Sequence, residues 1–188
     1  PLTKNIIFDD APVNQAVEGI VNGIFFNQGH VCCAGSRLFV QEGIAGTVVR
    51  KLKRRMDNLV LGDPLDKNTD VGAINSQEQL DRIKVLVDSG KAEGAKCWQS
   101  GQKLPRKGLW FKPTIFTECA QSHQIVQKEI FGPVLAIQTF RTPEEAVEKA
   151  NNTPYGLSGG VWTDKGSKIF KITSQIRAGV IWANTFNK

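Results

Sequence analysis

Long apolar runs are missing from this chain. No stretch approaches the roughly 20 consecutive apolar residues of a membrane-spanning helix, and the opening residues Pro1-Leu2-Thr3-Lys4 do not resemble a secretion signal. There is no internal repeat and no low-complexity segment. The 188 residues, 40% hydrophobic and 22% charged, are typical of one globular domain. We therefore expect no membrane partner and a cytoplasmic location, with the mitochondrial matrix left open.

Cysteine is also scarce, with four residues in the whole chain. Cys97 and Cys119 lie in dissimilar settings, and the adjacent Cys32 and Cys33 could form a disulfide only through a strained ring. A disulfide framework is therefore disfavoured and a reducing compartment is favoured. His30, Cys32 and Cys33 lack the spacing of a zinc knuckle, and no second Cys/His cluster completes a site, so we expect no metal.

Acidic residues are fewer than basic residues, 18 against 24, which gives a net charge of +6. Much of the excess lies in "RKLKRR", residues 50–55, and the apolar residues around this run recur at helical spacing. The cations should therefore occupy the solvated face of one helix. Because no aromatic residues interleave with them and no nucleic-acid motif is present, we expect no nucleic-acid partner.

Strand-like and helix-like segments alternate along the chain, which predicts an α/β fold with a mostly parallel sheet and helices on both faces. The predicted strands are "NIIF", "SRLFVQE", "FKPTIF", "PVLAIQTF", "LSGGVWT" and "AGVIWAN".

Three polar signals predict where helices begin. "DDAP" predicts an acidic cap for a first helix that carries an apolar stripe from Val13 onward. Ser76 and Gln79 have the spacing of a capping box, as do Thr142 and Glu145. We expect helices to follow each of these positions.

The segment "FFNQGHVCCAG" is the strongest candidate for chemistry. A cysteine acts as a nucleophile only as a thiolate, and a loop with exposed N–H groups favours that form and can also hold an oxyanion. Gly29 and Gly35 would let a substrate approach the backbone closely. From the residues alone two interpretations stay open, a nucleophile and an inert core pair, and the pattern unaided favours the second.

The longer string "FFNQGHVCCAGSRLFVQE" resembles the cysteine segment of the NAD(P)-dependent aldehyde dehydrogenases. The resemblance implies that Cys32 is the catalytic nucleophile. It also implies that Val31 and Cys33 flank the substrate pocket and that Phe26 forms a wall of the substrate tunnel.

Position 30 departs from this family pattern, because His30 stands where the family usually has glutamine. The substitution should alter the hydrogen bonds of the loop, and an imidazole near the thiol could tune it. It does not remove the nucleophile.

A second string, "KEIFGPVLAI", resembles another motif of the same family. It implies that Glu129 accepts hydrogen bonds from the nicotinamide-side ribose and that Phe131 lies beside the nicotinamide. Without the family, Glu129 would be interpreted as a solvated carboxylate next to Lys128. Similarity continues through "ANNTPYGLSGGVWT" and "AGVIWAN", so it covers nearly the whole chain.

The resemblance implies oxidation of a small-molecule aldehyde to a carboxylic acid, through a thiohemiacetal and a thioester on Cys32, with NAD or NADP as cofactor. It further implies that residues 1–188 correspond to the catalytic domain alone. The cofactor-binding and oligomerisation parts and the general-base glutamate lie elsewhere in the family sequence.

We therefore expect the isolated chain to be inactive and the full-length enzyme to be a homo-oligomer. The alternative is a non-catalytic regulatory or interaction domain that retains the aldehyde dehydrogenase architecture.

Overall fold

A seven-stranded sheet runs through the centre of the molecule. The computed structural model describes residues 2–187. Its strands are β1 (Lys4–Ile7), β2 (Arg37–Gln41), β3 (Lys96–Gln99), β4 (Thr114–Thr117), β5 (Val134–Phe140), β6 (Ser158–Trp162) and β7 (Val180–Ala183). Their order is β3-β4-β5-β2-β1-β6-β7. Each neighbouring pair is parallel except β3 with β4, so the predicted mostly parallel sheet is confirmed.

Helices cover both faces of this sheet. They are α1 (Val13–Phe25), α2 (Glu42–Met56), α3 (Gln77–Ala92), α4 (Gln124–Gln127), α5 (Pro143–Asn151) and α6 (Gly166–Thr173). Helices α1 and α2 share a core with one face of the sheet, and α3 to α6 pack on the other. Among residues 2–187, no helix combines the length and apolar character that crossing a membrane requires.

Strand β2 illustrates why the central strands are apolar throughout. Leu38 and Val40 contact the α1–α2 core, whereas Phe39 contacts the α5–α6 core, and all three are fully buried. Successive side chains on a strand point to opposite faces, so a strand covered on both faces has no solvent-facing position. Burial of both faces therefore explains why the central strands appear in the sequence as continuous apolar runs.

The predicted acidic cap of the first helix is wrong. Helix α1 is preceded by Pro12 and has no side-chain cap. Asp9 instead accepts a hydrogen bond from Gln41 (2.9 Å), and Asp10 accepts one from Thr163 (2.6 Å). Both carboxylates therefore join neighbouring strand ends, and neither can cap α1 because the cap position is occupied by Pro12.

The other two predicted caps are present. Ser76 Oγ accepts from the Gln79 N–H (3.1 Å) and begins α3, and Thr142 Oγ1 accepts from the Glu145 N–H (3.2 Å) and begins α5. The edge strand β3 is an addition to the predicted set of strands. It is short and half-exposed and has no clear alternation of apolar and polar residues.

Two cations are buried on the α5–α6 face of the sheet. Lys4 and Arg37 are each 1% exposed. Lys4 Nζ donates to the Arg177 carbonyl (2.8 Å), and Arg37 Nη2 donates to the Ala150 carbonyl (3.0 Å) near the C-terminal end of α5. Carbonyls at a helix C-terminus carry partial negative charge. Burial, with the nearby charges of Arg37 and Arg177, lowers the pKa of Lys4 to about 8.

Lys4 should make the stability of the chain depend on pH. Its pKa lies below the ordinary lysine value of 10.5, so the folded chain binds fewer protons than the unfolded chain between about pH 8 and 10.5, and the free energy of unfolding rises with pH there. Lys4→Met removes this titration. We expect the stability of the wild type relative to Lys4→Met to rise by on the order of 2 kcal/mol across that window in urea unfolding.

Lys84→Met is the matched control, because the Lys84 side chain is half-exposed. Its stability relative to the wild type should change less with pH than that of Lys4→Met. A constant difference between the wild type and Lys4→Met would contradict a lowered pKa for Lys4.

Candidate active site

Two loops meet at one edge of the sheet. The cysteine loop (residues 26–36) precedes β2, and the glutamate loop (residues 128–133) precedes β5. Strands β2 and β5 are parallel neighbours, with Arg37 opposite Ala136, so the segments that lead into them converge at the same edge. The tertiary structure therefore brings together the two motifs that the sequence analysis identified separately.

The cysteine loop begins with a left-handed turn. Asn27, Gln28 and Gly29 have φ values of 50°, 57° and 74°, in a region that costs about 1–2 kcal/mol for a residue with a side chain. Hydrogen bonds offset this cost. Gln28 Oε1 accepts from the Gly72 N–H (2.9 Å), and Asn27 Nδ2 donates to the His30 carbonyl (3.2 Å).

The backbones of the two loops touch at Gly29. A Cβ atom on Gly29 would lie 2.2 Å from the Gly132 carbonyl oxygen, so there is no room for a side chain. Beside this contact the His30 ring stacks on the Phe131 ring, with centroids 5.5 Å apart and planes 6° apart. His30 Nε2 also accepts from the Asn75 N–H (3.4 Å). These contacts of the imidazole are with Phe131 and Asn75 rather than with the Cys32 thiol.

Side chains of α3 hold the glutamate loop. Gln79 Nε2 donates to the Ile130 and Phe131 carbonyls, both at 2.9 Å, and Arg82 Nη2 donates to the Glu129 carbonyl (3.0 Å). From the sequence, Gln79 is predicted only as part of a helix cap, and no role is predicted for Arg82. The spacing of Gln79 and Arg82 along α3 does not predict these hydrogen bonds, because the accepting carbonyls belong to the glutamate loop.

The two adjacent thiols have different surroundings. Cys32 is exposed, whereas Cys33 is partly buried and its Sγ lies 3.5 Å from Asn187 Oδ1. Burial, with a smaller contribution from Cys32, raises the pKa of Cys33. Cys32 is therefore accessible to a reagent, and Cys33 is held as a thiol against the chain end.

A cavity of about 760 Å³ lies beside α1. Phe26, Val31 and Cys33, the three residues predicted to form a substrate pocket, all line it, and Cys32 lies outside its lining. Phe26 is 67% exposed. Phe186 and Asn187 also line the cavity, and no sequence motif predicts them there.

The segment that follows β7 reaches this cavity through a turn at Asn184. Asn184 has a φ of 52°, and its amide accepts from the Thr163 N–H (3.0 Å) and donates to the Thr163 carbonyl (2.9 Å). This pairing to the end of β6 directs the chain back across the sheet, which delivers Phe186 and Asn187 to the cavity.

The cavity, the exposed thiol and the paired loops occur in a chain whose sequence matches a known family. A model of the aldehyde dehydrogenase family matches residues 3–188. The chain belongs to the aldehyde dehydrogenase family. It is 42% identical over 185 residues to human retinal dehydrogenase 2, a match that covers 98% of this chain and 36% of that protein.

Solved structures of the family have the same fold. The NAD-dependent aldehyde dehydrogenase from Sinorhizobium meliloti superposes with a TM-score of 0.96 at 36% identity, covering 100% of this chain and 37% of that one. Betaine aldehyde dehydrogenase from Staphylococcus aureus, solved in complex with NAD+, has a TM-score of 0.95 at 38% identity, covering 99% of this chain and 38% of that one. The chain thus spans little more than a third of the length of these relatives.

The contact between the loops should make Gly29 intolerant of any side chain. Gly29→Ala would place a methyl group against the Gly132 carbonyl at a left-handed position, and we expect a loss of at least about 2 kcal/mol of stability in denaturant unfolding. Gly46→Ala in α2 is the control, because a Cβ there meets nothing within 4 Å. It should stabilise the chain by roughly 0.5–1 kcal/mol. Equal effects of the two substitutions would contradict the close contact.

Proposed function

We propose that this chain carries the nucleophile and the nicotinamide-side contacts of an aldehyde dehydrogenase that oxidises an aldehyde to a carboxylic acid. The observation that carries the proposal is the junction of the two loops, in which an exposed Cys32 lies in the loop that contacts the glutamate loop through Gly29 and His30. Membership of the family supports the same conclusion.

In this mechanism the Cys32 thiolate attacks the carbonyl carbon of the aldehyde. A C–S bond forms and the carbonyl oxygen becomes the oxyanion of a thiohemiacetal. The Ala34 N–H donates to the Val31 carbonyl inside the loop (3.0 Å). The N–H groups of Cys32 and Cys33, in contrast, have no backbone acceptor among residues 2–187. Those two N–H groups are therefore the candidates for binding the oxyanion.

Loss of hydride from the former carbonyl carbon leaves a thioester on Cys32. Attack by water then breaks the C–S bond, releases the carboxylic acid and returns the thiol. The resemblance implies that the general base for this second step precedes the segment described here. Cys32 alone therefore accounts for acylation and not for deacylation.

Glu129 and Phe131 have the chemistry expected for the nicotinamide end of NAD or NADP. Glu129 is a half-buried carboxylate, suited to two ribose hydroxyls, and the partly exposed Phe131 offers an aromatic surface backed by His30. The cofactor, when bound, supplies the hydride acceptor. Glu129 would orient the ribose and Phe131 would limit the tilt of the ring beside it.

The proposal extends to properties of the whole enzyme. The chain covers 36% of human retinal dehydrogenase 2, and most contacts to a dinucleotide are expected outside it. We therefore expect residues 1–188 by themselves to react with thiol reagents and not to turn over. A cytoplasmic location, a homo-oligomeric enzyme and a small aldehyde substrate complete the proposal.

Substitution of each thiol tests the assignment of the nucleophile. In a full-length enzyme that carries this segment, Cys32→Ala should abolish NADH formation with a simple aldehyde, because no other exposed thiol replaces it in the loop. Cys33→Ala should retain most of the activity, because Cys33 is partly buried and its raised pKa makes it a poor nucleophile. The reverse order of activities would refute the assignment.

Alkylation of the 188-residue chain near neutral pH separates the enzyme from the alternative of a non-catalytic domain. An activated Cys32 should react with iodoacetamide much faster than Cys97, whose pKa burial raises. Equal rates would favour the non-catalytic domain.

Glu129→Gln tests the proposed ribose contact. The neutral amide is a weaker acceptor than the carboxylate by about 1 kcal/mol for the hydrogen bonds concerned, so the nicotinamide should be held less well. We expect a higher Kd for NAD and slower single-turnover hydride transfer in the full-length enzyme. Glu148→Gln, on the exposed surface of α5, is the control and should change neither the Kd nor the rate. Unchanged values in Glu129→Gln would indicate that Glu129 is a solvated carboxylate that does not contact the ribose.

A further inference from the structure

His30 lies where three segments meet. Its backbone N–H donates to the Asn27 carbonyl (2.9 Å) inside the cysteine loop, its ring stacks on Phe131 of the glutamate loop, and its Nε2 accepts from the N–H of Asn75. Asn75 immediately precedes the cap of α3, the helix whose Gln79 holds the Phe131 carbonyl. One side chain therefore links both loops of the site and the start of α3.

The contact with Asn75 specifies the protonation state of the ring. A backbone N–H can donate only to an imidazole nitrogen that keeps its lone pair, so Nε2 must be unprotonated and the proton of the neutral ring must lie on Nδ1. Nδ1 is buried near the Phe131 backbone and has no hydrogen-bond partner of good geometry among residues 2–187. An imidazolium has donors at both nitrogens and cannot accept from Asn75.

We propose that His30 is a positioning residue that keeps the cysteine loop and the glutamate loop in register, and that it does so only as a neutral imidazole. The consequence for catalysis rests on the proposed function. Protonation would break the bond to Asn75 and put a positive charge under Phe131, the residue proposed to lie beside the nicotinamide. Binding and orientation of an oxidised, cationic nicotinamide should then weaken at acid pH.

Glutamine at this position would act differently. Its side-chain oxygen can accept from a backbone N–H at any pH, but it offers no ring to stack on Phe131. A family member with glutamine there should therefore lack the pH dependence that we propose for this chain. His30→Gln consequently removes the titration while it keeps an acceptor for Asn75.

The environment of His30 supports the neutral form near pH 7. The elements packed against it carry these titratable or charged groups: Cys32 and Cys33 in the cysteine loop, Lys128 and Glu129 in the glutamate loop, Asp70 in the segment before Asn75, and Glu78, Asp81, Arg82, Lys84, Asp88 and Lys91 on α3. Burial is the main influence on the pKa of His30 and lowers it from 6.5, and the Phe131 backbone opposes this to a smaller extent. The ring should therefore be neutral at pH 7 and titrate below pH 6.5.

NMR spectroscopy of the 188-residue chain tests the proposal without any activity. The ring resonances of His30 report its titration, and amide hydrogen exchange, corrected for the intrinsic pH dependence, reports protection of the Asn75 N–H. We expect Asn75 protection in the wild type to fall about tenfold as His30 becomes protonated, which corresponds to the loss of one ordinary hydrogen bond. In His30→Gln the protection should not change over the same range.

Two further variants separate the contacts and provide a control. His30→Phe keeps a ring for Phe131 but has no acceptor, so Asn75 should be unprotected at every pH while the Phe131 ring resonances stay near their wild-type positions. His123 also accepts a backbone N–H, from Ala120 to Nδ1 (3.2 Å), and belongs to neither of the two loops. His123→Gln should leave the Asn75 profile unchanged.

In the full-length enzyme, the KM for NAD should rise below the His30 midpoint for the wild type, whereas for His30→Gln it should not change with pH over the same range. Asn75 protection that is constant through the His30 titration, or that falls equally in His30→Gln, would overturn the proposal. Failure of the proposed function would be seen in a different experiment, because Cys32→Ala would then retain activity. The NMR result does not depend on that outcome.

Discussion

The close approach of the Gly29 backbone to the Gly132 carbonyl is the constraint on which the rest of the site depends. Parallel pairing of β2 with β5 brings the starts of both strands to one edge, and the loops can meet there only because residue 29 carries no side chain. The left-handed turn at residues 27–29 and the positive φ of Phe131 lie on the two sides of this contact. The two loops therefore meet at the amino ends of β2 and β5, whereas ligands in open α/β sheets usually bind at the carboxyl ends of the strands.

Donors on side chains satisfy the carbonyl groups of the loops around the sheet. Gln79 and Arg82 donate to the glutamate loop, while Lys4 and Arg37 donate to carbonyls beyond α6 and at the end of α5. A buried carbonyl without a partner is costly, and loop carbonyls have no ladder to join. These long-range bonds therefore hold the loops in place where regular secondary structure ends, and Lys4 and Arg37 do so as buried cations.

Neighbouring residues in the cysteine loop are distinguished by burial rather than by residue type. Cys32 and Cys33 are chemically identical, yet one is exposed and the other is pressed against Asn187. Asn187 lies in the segment after β7, which the turn at Asn184 directs back over the sheet. The reactivity that we propose for this loop therefore depends on a segment that follows the loop by most of the length of the chain.

Local physics accounts for what the sequence by itself determined. Apolar runs and helical periodicity predicted the mostly parallel sheet and its covered faces, and the spacing of Ser76 from Gln79 predicted a cap, because these features depend on neighbours within a few residues. The same reasoning failed for "DDAP", where Asp9 and Asp10 found partners on distant strand ends. It also missed β3, a short edge strand without alternation.

Only the tertiary structure decided that His30 faces Phe131 and Asn75, that Gln79 holds the Phe131 carbonyl and that Asn187 reaches Cys33. Each of these contacts joins residues far apart in the chain. Which loops become neighbours is set by the order of strands in the sheet, and that order minimises the free energy of the whole core rather than of any segment.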